Sequence, residues 1–427
     1  MSTATKRATD LGYPEDDARW MYTLLSEPDL TNELARLASA TSHGSTDSVS
    51  FQPSPNPECY SQDRYVVQDW HLSTGIWRFH AIFDGNYQAL FCHMQRTDKP
   101  PGHAGEETAD YAVEMLPSIM KQHIQGFLDN HKDYNSASIS DVMVNAISSL
   151  DNAIAHDLLE IFPDPQALDS LSDAAIKDII NDSDRGGQNI NKVLHCMRGT
   201  TVLVSLVDPT RTHLWVASLG DCQAVYGRQD ESGAWDAILL SSNHNGTESS
   251  EVERIKQEHP DEPECVLRNR VLGAIAVTRA LGDHEFKLPR VYTERVFLNA
   301  APGFRTQQSV EQFIKKSFTP PYLSNIADVR HLSLEPNSRA CLVMCTDGLM
   351  DLFEGESRDG GTLDIAALGR RWLEIIGPTV WTEGTNAALH LLREGLGGTD
   401  EEKVSQMMTA ERTDRWMDDT TILIQRL

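Results

Sequence analysis

The chain has 427 residues, 63 of them acidic against 37 basic, for a formal charge of -26. That length allows one large domain with insertions or two ordinary ones, and that charge disfavours a surface built to hold a nucleic-acid backbone or an anionic membrane. Seven scattered cysteines with no CxxC pair indicate neither a disulfide framework nor a zinc site and fit a reducing compartment. No apolar run is long enough to span a bilayer.

Residues 1–50 read as a partly disordered arm, with a short helix over Asp17–Leu25 and a polar Ser/Thr run over Ser39–Ser50, leading into one domain over 51–427. Met1–Leu30 carries Asp10, Glu15, Asp16, Asp17, Glu27 and Asp29, so no organelle presequence is expected there. From Ile76 to Phe83 a period of two puts Trp77, Phe79, Ala81 and Phe83 on one face, and the strand ends at Asp84-Gly85. Glu106–Leu116 and Asp141–Leu159 have helical spacing, with Ala109, Ala112 and Leu116 inward in the first and Ala146, Ile147, Leu150 and Ile154 in the second. Thr200–Asp208 and His213–Asp221 read as a hairpin turning at Pro209-Thr210-Arg211, with Gln223–Gly227 as its third strand. Regions 160–195 and 290–318 read as insertions with helical pieces. Two more strands, Ala340–Cys345 and Thr420–Gln425, meet acids at Asp347 and Asp418. Strands and helix pairs without regular βαβ alternation predict an α+β fold.

Asp63, Asp84, Asp347 and Asp418 are the candidates for chemistry. Mg²⁺ and Mn²⁺ prefer oxygen ligands, and Mg²⁺ keeps several waters, so a few acids from separate strands suffice. Two such ions lower the pKa of a bound water and neutralise phosphoryl charge. A lone Asp-Gly, however, is a common turn.

The ordered set of motifs changes that balance. Gln62-Asp63-Arg64, Phe83-Asp84-Gly85, Gly199-Thr200-Thr201 and Gly220-Asp221-Cys222-Gln223-Ala224 come first. Arg270–Gly273, Arg279–Asp283, Thr346–Asp351 and Asp418-Asp419-Thr420-Thr421 follow. In this order, across residues 60–427, they resemble the metal-dependent protein phosphatase 2C family. Asn243-His244-Asn245, Glu251–Pro260 and Thr319–Leu323 resemble its pyruvate dehydrogenase phosphatase branch. The resemblance implies a sandwich of two mainly antiparallel sheets flanked by helices, acting as a monomer on phosphoserine and phosphothreonine in proteins. It implies two Mg²⁺ or Mn²⁺ ions held by Asp63, Asp84, the Gly85 carbonyl, Asp347 and Asp418. It implies further a third, looser ion at Asp221, support from Asp283 and Arg64, and His103 as proton donor to the leaving group. The branch implies the pyruvate dehydrogenase complex as substrate and a mitochondrial location, against which the acidic N-terminus counts.

The chain departs from the pattern in three places. The family's Asp-Gly-His is interrupted: removing the seventeen residues Asn86–Gly102 joins Asp84-Gly85 to His103-Ala104-Gly105 and restores it. Because seventeen codons keep frame and glycines flank both junctions, a retained intron or gene-model error accounts for the segment, the alternative being a genuine lid or docking loop. Gln62 stands where relatives carry Glu, and Glu58 where many carry a phosphate-contacting Arg. These departures motivate a second reading, an impaired member that binds phosphoproteins; a phosphohydrolase of small esters is a third.

Overall fold

The computed structural model describes residues 5–12, 19–56, 59–85, 106–131, 134–304, 307–336, 338–354, 364–413 and 415–427, and in it the Trp77–Phe83 alternation becomes the strand Gly75–Phe83. Trp77, Phe79, Ala81 and Phe83 are all fully buried. Arg64–Leu72 pairs antiparallel on one side of this strand and Val202–Val207 on the other. His213–Leu219 and Asp328–Ser333 complete a five-stranded sheet, every neighbour antiparallel. The expected hairpin is therefore present, with Val202 opposite Leu219 and Val207 opposite Leu214.

Two long helices, Glu106–Asn130 and Ser136–Ile161, bury Ala112, Leu116, Met120, Met143, Ile147 and Leu150 in one core with Trp77, Phe79 and Trp215. Each of these leucine, isoleucine and methionine side chains contributes about 1.5–3 kcal/mol on burial. The second helix starts where Asn135 accepts from the Ser138 amide, satisfying one donor of the first turn. Residues 160–195 and 290–318 supply helical pieces, among them Asp173–Ile180, Gln188–Met197 and Arg290–Arg295. These elements belong to one compact unit, Arg64–Cys222 with Ser241–Ser333.

A second unit gathers Met1–Asp63, Gln223–Leu240 and Leu334–Leu427 around a six-stranded sheet. Its strands run in the order Trp235–Leu239, Gln223–Gln229, Arg339–Cys345, Thr420–Arg426, Thr46–Phe51 and Thr41–His43, all antiparallel. Helices Ile365–Ile376 and Ala387–Leu396, capped by Asp364 and Asn386, bury Trp372, Leu373, Leu391 and Leu392 against Val225, Val343, Ile422 and Ile424. The chain is thus α+β with mainly antiparallel sheets, as expected.

Three expectations need correction. Gln223–Gln229 is a strand, but it pairs with Arg339–Cys345 and Trp235–Leu239 rather than extending the hairpin. Trp20–Leu24 is a strand paired with Thr5–Thr9, not part of a helix; its burial alternates only weakly, and pairing decides its conformation. Residues 1–50 are not merely an arm, because Thr46–Phe51 is an internal strand and Leu30 and Leu34 of helix Asp29–Leu37 are buried. The buried Asp47 shows why this polar stretch holds: Arg426 grips it with two hydrogen bonds of 2.9 and 3.2 Å, and the Ala387 amide and Ser42 hydroxyl also donate to it.

Candidate metal centre

In the unit built on the five-stranded sheet, Asp84 follows directly on the strand Gly75–Phe83. Its backbone carbonyl accepts the Thr200 hydroxyl at 2.8 Å and the Thr201 amide at 2.9 Å, and its amide donates to the Thr201 hydroxyl at 3.3 Å. The adjoining Gly85 bridges Thr200. The Gly199-Thr200-Thr201 motif therefore pins the backbone beneath Asp84. Asp221 follows the end of strand His213–Leu219, and one of its carboxylate oxygens lies within 4.8 Å of one from Asp84. Its Oδ2 accepts from Asn245 Nδ2 at 2.8 Å.

Asp283 is buried behind this segment. Leu281–Gly282 pairs with Gly199–Thr200, the Asp283 amide donates to the Arg198 carbonyl, and a side chain on Gly199 would collide with the Asp283 carboxylate. Arg64 pairs with Asp110 at 2.6 Å, with Glu106 farther off at 4.0 Å, so it braces the start of helix Glu106–Asn130. His103, the inserted segment 86–102 and Glu58 lie outside the described residues.

The other unit holds a more crowded set. Asp63 is 4 % exposed, and its Oδ2 accepts the Thr346 hydroxyl at 2.9 Å. Burial, then the charges of Asp419 and Asp418, push the Asp63 carboxyl well above the ordinary range. Asp418 is exposed as a residue, yet protein packs around its carboxyl. That crowding, then the Asp419 charge, raises it too. Asp419 accepts from the Gln62 amide at 2.6 Å and Gln52 Nε2 at 2.8 Å, and Arg415 pairs with it. Arg415 also donates to Gln62 Oε1 at 2.7 Å. Gln62 thus serves as an arginine acceptor in this chain. Asp347 opens helix Asp347–Glu354 immediately after strand Arg339–Cys345, where a helix N-terminus favours an acid.

Every donor in these two sets is a carboxylate or carbonyl oxygen, the chemistry Mg²⁺ and Mn²⁺ select. Asp63 is raised by the charges of Asp419 and Asp418, and Asp418 by that of Asp419, a repulsion that a bound cation relieves. Sequence reasoning missed Arg415, since no local pattern marks an arginine whose partners lie far along the chain. Asn245 and His244 were visible only as a motif without a task.

The Protein phosphatase 2C family model matches residues 101–357, more than half of the chain, and the chain belongs to that family. A protein phosphatase 2C homolog of Schizosaccharomyces pombe is 25% identical over 401 residues, covering 87% of this chain and 78% of the relative. The mitochondrial [pyruvate dehydrogenase [acetyl-transferring]]-phosphatase 1 of Bos taurus is 31% identical over 256 residues, 53% of this chain and 47% of that protein. The chain thus spans about half the length of that phosphatase. The crystal structure of a serine-threonine phosphatase 2C from Toxoplasma gondii superposes with a TM-score of 0.46 at 17% identity, covering 90% of this chain and 96% of that one. Among the described residues no helix is long and apolar enough to cross a membrane.

Proposed function

We propose that the chain is a metal-dependent protein serine/threonine phosphatase, with Asp63, Asp84, the Gly85 carbonyl, Asp347 and Asp418 holding two Mg²⁺ or Mn²⁺ ions and Asp221 a third. The observation that carries this reading is the approach of the Asp84 and Asp221 carboxylates to within 4.8 Å on a backbone fixed by Thr200 and Thr201. When bound, the cations supply water activation and neutralise phosphoryl charge.

The chain's own residues then orient and exclude. Thr200 and Thr201 hold the Asp84 backbone, Thr346 holds one Asp63 oxygen, and Asp283 backs the Gly199–Thr200 strand. Joined directly to Gly85, as on removal of Asn86–Gly102, His103 would give its proton to the leaving seryl or threonyl oxygen, a role that requires hydrogen-bond reach of that atom. Likeness to pyruvate dehydrogenase phosphatases supports a subunit of that complex as substrate and a mitochondrial location. The comparisons do not support the reading of an impaired member.

The test is phosphate release from a phosphothreonine peptide by the full chain. Turnover is expected only with Mg²⁺ or Mn²⁺. In Asp84→Asn it should fall on the order of a hundredfold or more, because metal ions supply several kcal/mol of transition-state charge stabilisation. Turnover undiminished by a chelator or by Asp84→Asn refutes the proposal.

A further inference from the structure

The turn that carries Asp221 is held from one side by a single short segment. Gly220 has φ +116°, and a side chain there would meet Thr201 Cβ at 2.5 Å, so the turn is tight and open only to glycine. The Gly220 amide donates to His244 Nδ1 at 3.2 Å, and the His244 amide donates to the Gly220 carbonyl at 2.9 Å. One residue therefore satisfies both backbone groups of Gly220. The next residue, Asn245, donates to Asp221 Oδ2 at 2.8 Å.

His244 is itself fixed. With Nδ1 accepting, the ring proton sits on Nε2 and is donated to Asp328 Oδ2 at 3.0 Å. Asp328 Oδ1 accepts from Arg279 at 3.0 Å, and Arg279 reaches Glu251 Oε1 at 2.6 Å, beside which Arg254 also pairs. Three carboxylates, Asp328, Glu251 and Glu258, share the two guanidiniums of Arg279 and Arg254, while the side chain that reaches Asp221, Asn245, is neutral. The network's contact with Asp221 is thus a neutral hydrogen bond, and what that bond supplies is orientation. A purely structural network would end at the Gly220 backbone; this one continues through Asn245 to the carboxylate that faces Asp84.

We infer that Asn245 and His244 are positioning residues for Asp221: Asn245 fixes one carboxylate oxygen and so orients the carboxylate toward the loosest cation, while His244 sets the turn that aims it. The inference rests on the reading of Asp221 as a ligand of that cation. It also gives a task to the Asn243-His244-Asn245 and Glu251–Pro260 motifs, which meet in this network.

Mn²⁺ titration of the full chain followed by electron paramagnetic resonance tests it, with Asp221→Asn as the benchmark. Asn245→Ala is expected to weaken the loosest Mn²⁺ step by roughly 10–100-fold, the range for residues that orient a metal ligand, and to leave the tighter steps unchanged. Asn245→Leu, similar in bulk and lacking the donor, gives the same readout should the Ala variant fail to fold. If Asp221→Asn shifts the loosest step and both Asn245 variants leave it in place, the positioning role is wrong and the metal reading stands. If Asp221→Asn moves no step, the assignment of Asp221 fails and the inference falls with it.

Discussion

The two sets of acids are organised in opposite ways. Asp63, Asp418 and Asp419 crowd one another, two of them raised in pKa, with Arg415 as a cation in their midst. The Asp84 backbone and the Asp221 carboxylate accept from neutral donors, the Thr200 hydroxyl, the Thr201 amide and Asn245, while charge is kept one layer back in the Glu251–Arg279–Asp328 network. The first arrangement uses repulsion to make a cation welcome, at a cost in stability without one. The second brings two carboxylates within 4.8 Å on a backbone that neutral hydrogen bonds keep in place. The difference implies that changes near the first set register in folding, and changes near the second in metal affinity and turnover.

The largest effect sharpens the second half of that contrast. Deleting Asn86–Gly102 joins Gly85 to His103, and turnover on a phosphothreonine peptide is expected to rise by about 10²–10⁴, the span of a general acid regained. Stability should change little, because closure entropy grows only with the logarithm of loop length. Equal turnover with and without the segment would show that it is a genuine loop that leaves His103 in reach.

Next in size is Arg415→Met. It leaves the buried Asp419 carboxylate without its cation, and urea unfolding should report a loss of about 3–5 kcal/mol, as for a broken buried ion pair. Added Mn²⁺ should restore part of it by binding the native state. A loss under about 1 kcal/mol, the worth of an exposed pair, would break the contrast.

The smallest change is in the network around Glu251. Burial pushes Glu251 up, but hydrogen bonds from Arg279, Arg254 and Thr278 prevail and bring it down to about 2 from an ordinary 4.5. A depressed carboxyl contributes stability that is whole above 4.5 and lost as the pH falls toward 2. Glu251→Gln should therefore cost about 1.5–3 kcal/mol at neutral pH, the worth of a hydrogen bond to a charged group. It should also flatten the acid limb of the urea midpoint against pH; an unchanged limb would mean that Glu251 is not the group titrating there.

What the sequence revealed follows from the same physics. Asp84 was legible because a period-two strand ends on it, Asp347 because a continuous apolar strand runs up to it, and the helices Glu106–Asn130 and Ser136–Ile161 because their apolar spacing is long and regular. Thr46–Phe51 was hidden: its Thr46, Asp47 and Ser48 are polar yet buried, and only partners such as Arg426, hundreds of residues away, make that burial tolerable. Gln223–Gln229 was seen as a strand but given the wrong neighbours, since strand propensity does not specify which edge a strand joins. Arg415 was invisible for a similar reason, its meaning residing in Gln62 and Asp419.

Cation binding itself is read by calorimetric titration of the full chain with Mn²⁺. The account predicts at least two ions bound per chain, with the tightest step lost in Asp84→Asn. A folded chain that takes up no Mn²⁺, or that binds it equally well after Asp84→Asn, would contradict it.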